Sequence, residues 1–520
     1  MRLCRPLIGR TFLLNINPTD PAGKNSRIMK ILFIDNFAIN FGIASLSAVL
    51  KQAGHEVSLV TYPLSKWKGI DIYRAPEKYF SFPKIAAEII RNRPDLIAFS
   101  VFSPNYMFYK RMAEALRSQC RLPILVGGVL PTLVPELFME NTCCDYLFRG
   151  EAEPVIAGLV EKIANGNSRD VPNLAYRSDR GGAIYNEMTS FLENIDSVPF
   201  YDKNLYPNIF KSLYLLTSRG CPMTCTYCSA GKLSRKIIKP RSPIVRKRRV
   251  DCVIQEIKEA LQKKPYERIF FYDDIFVGTL PWMEEFSDKY RREIGLPYFC
   301  TAVPAIINNE NAALLAKSNC INVQIGFQTA NNEYKRNVLS RMETKEQVTN
   351  AIQHLRRHNI GFNLDHIFNL PGETREHIEE SLDFYIEQKV HSLSIYFLNY
   401  FPDAPITQYA HKTGVLDDAN YARVMKNESV GEQSYKGTIT DEKKSKEQVQ
   451  FAILFRLLNF LPSKWVKFFF RHNWYKCFPT HRYFYYLISV LVEIKGRGLH
   501  FLLIILQLFF SPKSRPKTIK

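Results

Sequence analysis

Cysteine is scarce in this sequence: 11 in 520 residues, an odd number. That excludes a secreted disulfide scaffold, which is short and dense in paired cysteines. A reducing interior suits the chain better, and there clustered thiols point to metal binding or catalysis. No uninterrupted apolar run reaches the roughly 20 residues that span a bilayer. The N-terminus, "MRLCRPLIGRTFLLNINPTD", is basic with a short apolar stretch but has no clear hydrophobic region or small-residue cleavage site, so no secretory signal is expected. Ordered-looking sequence begins at Met29, an alternative start. Internal repeats and low-complexity tracts are absent. Acidic residues are outnumbered 50 to 70 by Lys and Arg, a net charge of +20.

That balance admits nucleic acid, an acidic membrane face or an anionic substrate as partner. Two stretches carry much of it. "RKIIKPRSPIVRKRR" (235–249) reads equally well as a solvated basic face. The other is the tail, 463–520, where aromatic and aliphatic residues mix with Lys and Arg. Its apolar runs Tyr483–Val492 and Phe501–Phe510 are each too short to cross a bilayer. Two readings stand for them, in-plane helices on a membrane surface and helices packed onto the rest of the protein, with a transmembrane hairpin as a lesser third.

Strand and helix patterns alternate along the chain. "KILFIDN" (30–36) is a buried strand. "FGIASLSAVLKQAG" places Leu46, Val49, Leu50 and Ala53 at helical spacing and stops at Gly54. "EVSLV", "PDLIAFSVFS", "PILVGGVLPT" and "CDYLFRG" read as further strands, the last followed by a helix closing at Gly166. The alternation predicts an α/β domain with a doubly wound parallel sheet, whose ligands sit at the carboxyl ends of the strands. Those ends carry Asn36, Ser100 to Ser103, Gly127-Gly128 and Gly150-Glu151. A Pro-punctuated connector covers 167–206. From Leu213 about six more strand–helix units follow, which suits an open or closed α/β barrel with its chemistry at the strand C-termini. The expected division is an extension (1–28), a first domain (29–166), a linker (167–206), a barrel (207–416) and a helical, basic and apolar C-terminal region (417–520).

The first barrel strand, "LYLLTSRG", runs into "CPMTCTYCSAG". Cys221, Cys225 and Cys228 are spaced C-x3-C-x2-C between Gly220 and Gly231, glycines that permit a tight loop. Three thiolates so close together can hold three corners of a [4Fe–4S] cubane, leaving the fourth iron open to a substrate or cofactor. The competing reading is a three-cysteine zinc site completed by a distant histidine; no histidine lies within 50 residues of the loop.

The spacing, with Tyr227 before the last cysteine and the loop after the first barrel strand, resembles the signature of the radical S-adenosylmethionine superfamily. "FGIASLSAVLKQAGHEV", "PDLIAFSVFSPN", "ILVGGVLPT" and "DYLFRGEAE" resemble the cobalamin-binding domain that precedes such barrels in some members, and "IDSVPFYD" resembles their linker. The resemblance covers about Lys30 to Val415. Its relatives are the cobalamin-dependent radical enzymes that include methylases and the anaerobic magnesium-protoporphyrin ester cyclase.

The resemblance implies that Cys221, Cys225 and Cys228 hold the cluster. S-adenosylmethionine would chelate the open iron and be cleaved to a 5′-deoxyadenosyl radical that takes hydrogen from an unactivated carbon. Methylation, with cobalamin delivering the methyl group, is the first expected outcome and oxidative cyclisation the second. Tyr227 would lie near the adenine. Asp273 and Asp274, in "YDDIF", would stand near the amino group. Gln328 and Thr329 occupy the places where the family has a glutamate and serine near the ribose, and the uncharged Gln328 weakens that assignment. In "HIFNLPGET", Asn369 stands where glycine is common, and Glu373 reads as a helix cap. Ser100, Phe102, Gly127, Gly128 and Gly150 are the expected cobalamin pocket. "DNFAINFG" has Asp35 but no histidine for a lower cobalt ligand. Expected partners are a small-molecule or lipid-like substrate and a one-electron donor such as flavodoxin or ferredoxin, without nucleic acid. The expected location is the cytoplasm, with the tail as a candidate for peripheral membrane contact. A tRNA methylthiotransferase would need additional cluster cysteines, and Cys120, Cys143 and Cys144 lack that spacing. A corrinoid sensor or carrier with a structural cluster is the non-catalytic alternative.

Overall fold

The structure is a computed structural model and describes residues 27–36, 39–61, 81–206, 211–239, 242–390, 392–428 and 442–497. The first strand, β1 (Lys30–Asp35), is buried at every position after Lys30. Helix α1 (Phe41–Gln52) follows, capped by Asn40, whose side chain accepts from the Ile43 N–H. It ends at Gly54, whose φ of +91° suits glycine. Then come β2 (Glu56–Thr61), α2 (Phe82–Arg91), β3 (Leu96–Ser100), α3 (Tyr106–Arg117), β4 (Ile124–Gly127), the short helices α4 (Val129–Leu133) and α5 (Glu136–Asn141), β5 (Tyr146–Phe148) and α6 (Ile156–Ala164). The five strands pair in parallel in the order β2-β1-β3-β4-β5. This is a doubly wound sheet whose strand order reverses beside β1. Residues 167–206, read as a connector, also add β6 (Leu174–Arg177) and β7 (Ala183–Tyr185), which extend the same sheet as an antiparallel edge.

The second sheet begins with β8 (Ser212–Leu215). The chain continues through β9 (Ser218–Arg219), α7 (Ser229–Ile237), β10 (Arg246–Lys247), α8 (Val250–Lys263), β11 (Arg268–Phe271), α9 (Leu280–Glu293), β12 (Tyr298–Ala302), α10 (Asn309–Lys317) and β13 (Cys320–Gln328). It closes with α11 (Asn332–Asn337), α12 (Lys345–Arg357), β14 (Gly361–Phe368), α13 (Arg375–Glu387) and β15 (Leu393–Phe397). Six strands pair in parallel in the order β15-β14-β13-β12-β11-β8, a curled half-barrel. Alternate residues such as Val323, Ile325, Leu364 and Phe368 point outward into the core beneath the helices. Helix α13 is capped by Thr374, whose hydroxyl accepts from the His377 N–H, so Glu373 is the residue before the cap. Asn369 has a φ of +70°, the left-handed region that Asn and Gly share, which accounts for Asn where glycine is common.

The C-terminal region holds α14 (Pro405–Lys412), α15 (Asp418–Met425), α16 (Glu442–Leu457), α17 (Ser463–Arg471) and α18 (Arg482–Arg497). Phe451, Phe455, Phe470, Tyr475 and Tyr485 from this region join the barrel's own core, so these helices dock on the barrel. Trp465 and Trp474 nevertheless stay about half exposed, at 48% and 56%. Among the described residues no helix is long and apolar enough to cross a membrane. The run Phe501–Phe510 lies outside the described residues.

Candidate functional site

The cysteine loop is held at both ends. Past β8, the Asp273 carboxylate accepts from the Thr217 N–H (3.0 Å), the Thr217 hydroxyl (2.8 Å) and the Ser218 hydroxyl. β9 then pairs antiparallel with β10. Gly220 has a φ of +98°, and a Cβ there would overlap the Ile244 carbonyl; one on Gly231 would overlap the Met223 carbonyl. The loop is therefore folded back on itself more tightly than a side chain permits at either glycine. Arg235 ties it from outside, donating to the Met223 carbonyl (2.9 Å) and the Pro222 carbonyl (2.6 Å). Thr226 ties it to the barrel, its N–H donating to the Leu339 carbonyl at 3.1 Å.

Within this loop Cys221 is buried, and Cys225 and Cys228 are half-buried. Burial pushes the Cys221 thiol up to about 11 and raises Cys228 as well, with neighbouring thiols and Asp274 adding in the same direction. Asp274 keeps an exposed surface, yet the protein mass around it and then Asp273 beside it raise it as well. Of the expected pair, Asp274 lies close enough to Cys221 and Cys228 to raise them, while Asp273 is engaged in holding the strand end. Among the described residues no three Cys, His, Asp or Glu side chains converge as on one ion, so the zinc reading finds no assembled site. A [4Fe–4S] cluster makes no such demand, because each thiolate takes a different iron. The soft donor set and the glycine-curled loop fit that cluster.

One residue missed in the sequence completes the group. Arg341, 116 residues after Cys225, has Nη1 at 3.7 Å from the Cys225 sulfur. The same nitrogen donates to the Tyr227 hydroxyl at 3.0 Å, and Nη2 donates to the Gly326 carbonyl at 2.9 Å. Glu343 pairs with Nε. Gln328 lies on the same side: a Cβ on Gly326 would sit 3.0 Å from its Nε2 and 3.4 Å from the Arg341 guanidinium. Gln328 has a φ of +67°, where β13 shifts register against β14, and among the described residues its buried Oε1 has no hydrogen-bond partner. Thr329 is fully buried and turns its hydroxyl toward Ser381 on α13, 3.4 Å away.

In the first domain, an apolar cavity of about 160 Å³ lies between the sheet, α1 and α6. Ser100, Gly127, Gly128 and Gly150 line it, together with Gly42 and Leu46; Phe102 is outside its lining. A Cβ on Gly128 (φ +111°) would stand 2.7 Å from the Val101 nitrogen, so only glycine leaves this rim open. A cavity of this size and apolar lining at the strand ends fits one apolar arm of a bulkier cofactor and not the whole of it. Asp35 is turned away into a buried bond from the Tyr206 hydroxyl (2.8 Å).

The cavity also has a wall from the barrel. Arg219, two residues before Cys221, reaches into its lining and donates to Glu153 at 2.6 Å and Glu151 at 3.4 Å. Ser45 on α1 donates to Glu153 at 2.9 Å. Arg246 grips Glu151 through both terminal nitrogens, at 2.7 and 2.9 Å. Burial opposes ionisation of Glu153, but Arg219 overrides it and holds the carboxyl below the usual range. These contacts correct the solvated reading of the 235–249 stretch over its second half. Arg246 and Arg248 are buried at 6%, and Arg248 pairs with Glu256 and Asp196. Burial also lowers Lys247 to about 8, beside Asp273. Arg219 and Arg246, paired with Glu153 and Glu151, bind the domains together.

Residues 215–385 match the Radical SAM superfamily, and residues 34–160 match the B12 binding domain. The chain belongs to the cobalamin-dependent radical S-adenosylmethionine family. Its cofactors are accordingly a [4Fe–4S] cluster, S-adenosylmethionine and cobalamin. An uncharacterised methyltransferase of Pyrococcus horikoshii is 24% identical over 355 residues, covering 66% of this chain and 75% of the relative. The anaerobic magnesium-protoporphyrin IX monomethyl ester cyclase of Rubrivivax gelatinosus is 25% identical over 317 residues, 57% of this chain and 55% of the cyclase. The fold is shared with the cobalamin-dependent S-adenosylmethionine radical enzyme OxsB, solved with aqua-cobalamin and S-adenosylmethionine bound. The TM-score is 0.62 at 15% identity, over 93% of this chain and 75% of OxsB.

Proposed function

We propose that this radical S-adenosylmethionine enzyme modifies an unactivated carbon of a small-molecule substrate, with methylation as the first outcome and oxidative cyclisation as the second. The observation that carries the reading is the joining of two cofactor sites: Arg219 lines the cobalamin cavity and stands two residues from the first cluster cysteine. Cys221, Cys225 and Cys228 would hold the cluster, and Ser100, Gly127, Gly128 and Gly150 the corrinoid. When bound, the cofactors supply reductive cleavage of the sulfonium to a 5′-deoxyadenosyl radical and a cobalt-borne methyl group. The protein binds, orients and shields. Asp274 offers a carboxylate to an ammonium beside the thiols, Arg341 fixes Tyr227 and the Gly326 carbonyl around the same space, and Gln328 offers an amide oxygen to a hydroxyl. Tyr227, held by Arg341, borders the same space. A one-electron donor of the flavodoxin or ferredoxin type would feed the cluster.

The deciding experiment is anaerobic reconstitution with S-adenosylmethionine and a reductant, followed by chromatography for 5′-deoxyadenosine. Protein with a full cluster that forms none defeats the enzyme reading in favour of a corrinoid carrier. Methyl-deuterated S-adenosylmethionine then separates methylation, which carries label into the product, from cyclisation, which does not. The tRNA methylthiotransferase reading has little support here. Cys144 is buried against the Phe138 carbonyl and Met139, and Cys120 donates back to the Leu116 carbonyl.

A second reading concerns location. Residues 463–520 hold eleven Lys and Arg against one acidic residue, and two half-exposed tryptophans lie within them. Such a composition suits the interface of an anionic membrane beside a lipid-like substrate. Because α17 and α18 carry barrel core residues, the test is a Trp465→Ser, Trp474→Ser variant in flotation with phosphatidylserine vesicles. Equal flotation of variant and parent removes the reading.

A further inference from the structure

The inner face of the half-barrel divides into two walls of different chemistry. Residues that alternate with the outward core positions point into the concavity. On β8, β11 and β12 these include a row of aromatics. Tyr214 stacks on Phe270 with ring centroids 5.3 Å apart, and Phe270 on Phe299 at 4.4 Å and 7°. Tyr272 continues the wall 5.5 Å from Tyr214, and Phe41, next to the cavity residue Gly42, stands 6.3 Å from Tyr272. The aromatic wall therefore runs up to the first domain.

The opposite wall, on β13, β14 and β15, is polar. The Gln324 amide donates to the Asp365 carboxylate at 2.8 Å, and its nitrogen lies 3.4 Å from the Tyr396 hydroxyl. Ser394 pairs with Asp365 across the strands. Among the described residues no Lys or Arg pairs with Asp365 within 4 Å, although the carboxyl is mostly buried. Burial raises it to about 7. Gln324 and Ser394 offset only part of the cost of keeping a carboxyl without a paired cation in a concavity, and a hydrogen-bonding ligand offsets more of it.

We infer that Asp365, with Gln324 and Tyr396, anchors the substrate by a hydrogen-bond-donating group, a hydroxyl or an ammonium, while the aromatic wall receives an apolar, unsaturated body. This assignment rests on the radical enzyme reading and names its substrate class: amphipathic molecules with a donor group, not carboxylates. Asp365 is a binding residue here and takes no part in cleaving S-adenosylmethionine.

The test uses four fluorescent probes on the anaerobic holoenzyme with cluster and cobalamin: 2-naphthol, 2-naphthylmethylamine, 2-methoxynaphthalene and 2-naphthoate. The naphthol and the amine are expected to bind about tenfold more tightly than the methyl ether, the size of one hydrogen bond to a charged group, with naphthoate weakest. Asp365→Asn should bring the amine down to the ether's affinity, and Asp365→Ala should bring down both donors. Phe270→Ala should weaken all four probes. Variant folding is checked by cluster absorbance, and the isosteric Asp365→Asn guards against collapse of the alanine variant. Equal binding of naphthol and ether to the parent protein, or a ranking that survives in both Asp365 variants, overturns the assignment. Formation of 5′-deoxyadenosine is read separately. Radical chemistry without probe ranking sinks this site alone, and ranking without radical chemistry sinks the enzyme reading alone.

Discussion

The Asp365 carboxyl, held up to about 7 by burial, ties one residue to the stability of the whole barrel. An acid whose folded value lies above its unfolded value keeps a proton in the native state that the unfolded chain has already lost. The native state is therefore favoured at low pH, and the advantage is lost as pH rises from about 4 through about 7. Gln324, Ser394 and Arg341 face the group and temper the shift. Asp365→Asn should match the parent in thermal midpoint near pH 4 and exceed it above pH 7; an unchanged gap across that range would contradict the burial. Arg341 yields a second prediction. Lys in its place keeps the charge but cannot span Tyr227, Gly326 and Glu343 at once. Arg341→Lys should retain the cluster's absorbance and lose roughly tenfold to a hundredfold in 5′-deoxyadenosine formation. The three cysteines were legible because their spacing is local. Arg341 was not, because its partners lie on another strand's loop and no periodicity points to it. Gln328 was legible as a position, but its left-handed backbone and orphaned oxygen emerge only from the register shift in β13.

At the scale of elements, Gly128 sets the rim of the first domain's cavity. Gly128→Ala would place a methyl group against the Val101 backbone at a φ of +111°. It should cost about 1–3 kcal/mol and reduce the cobalamin retained after desalting, read by its visible absorbance. Long, periodic elements such as α8, α12 and β13 were legible because one face of each is buried and the pattern repeats. The hairpin of β9 and β10 was not, since two residues carry no period, yet it places Arg219 and Arg246. The strands β6 and β7 were missed for a related reason: they lie in a Pro-punctuated segment and bond to an edge, which leaves little apolar pattern. The basic run before α8 was ambiguous because charge in sequence reads as solvent exposure, whereas Glu151 and Asp196, which pair with Arg246 and Arg248, come from distant segments.

On the scale of the whole molecule, the two domains meet through buried ion pairs. Such pairs contribute modestly to stability while intact and are costly to break from one side. Glu153→Gln should therefore lower the stability of the docked chain by about 3 kcal/mol, seen as a separate early transition in denaturant while the cluster's absorbance persists to the later one. A single coincident transition would show that the domains are joined by other means. The same network has a bearing on maturation. Arg219 is both a wall of the corrinoid cavity and a strut of the docked interface, so the cavity takes its final shape only when the domains have come together. Loading is then a question of timing. Chains folded in the presence of hydroxocobalamin should fill readily, whereas chains folded without it should take it up slowly, at a rate set by transient parting of the domains. Once inside, the corrinoid should stay for many turnovers, a resident of the protein from its first folding and not an exchangeable visitor.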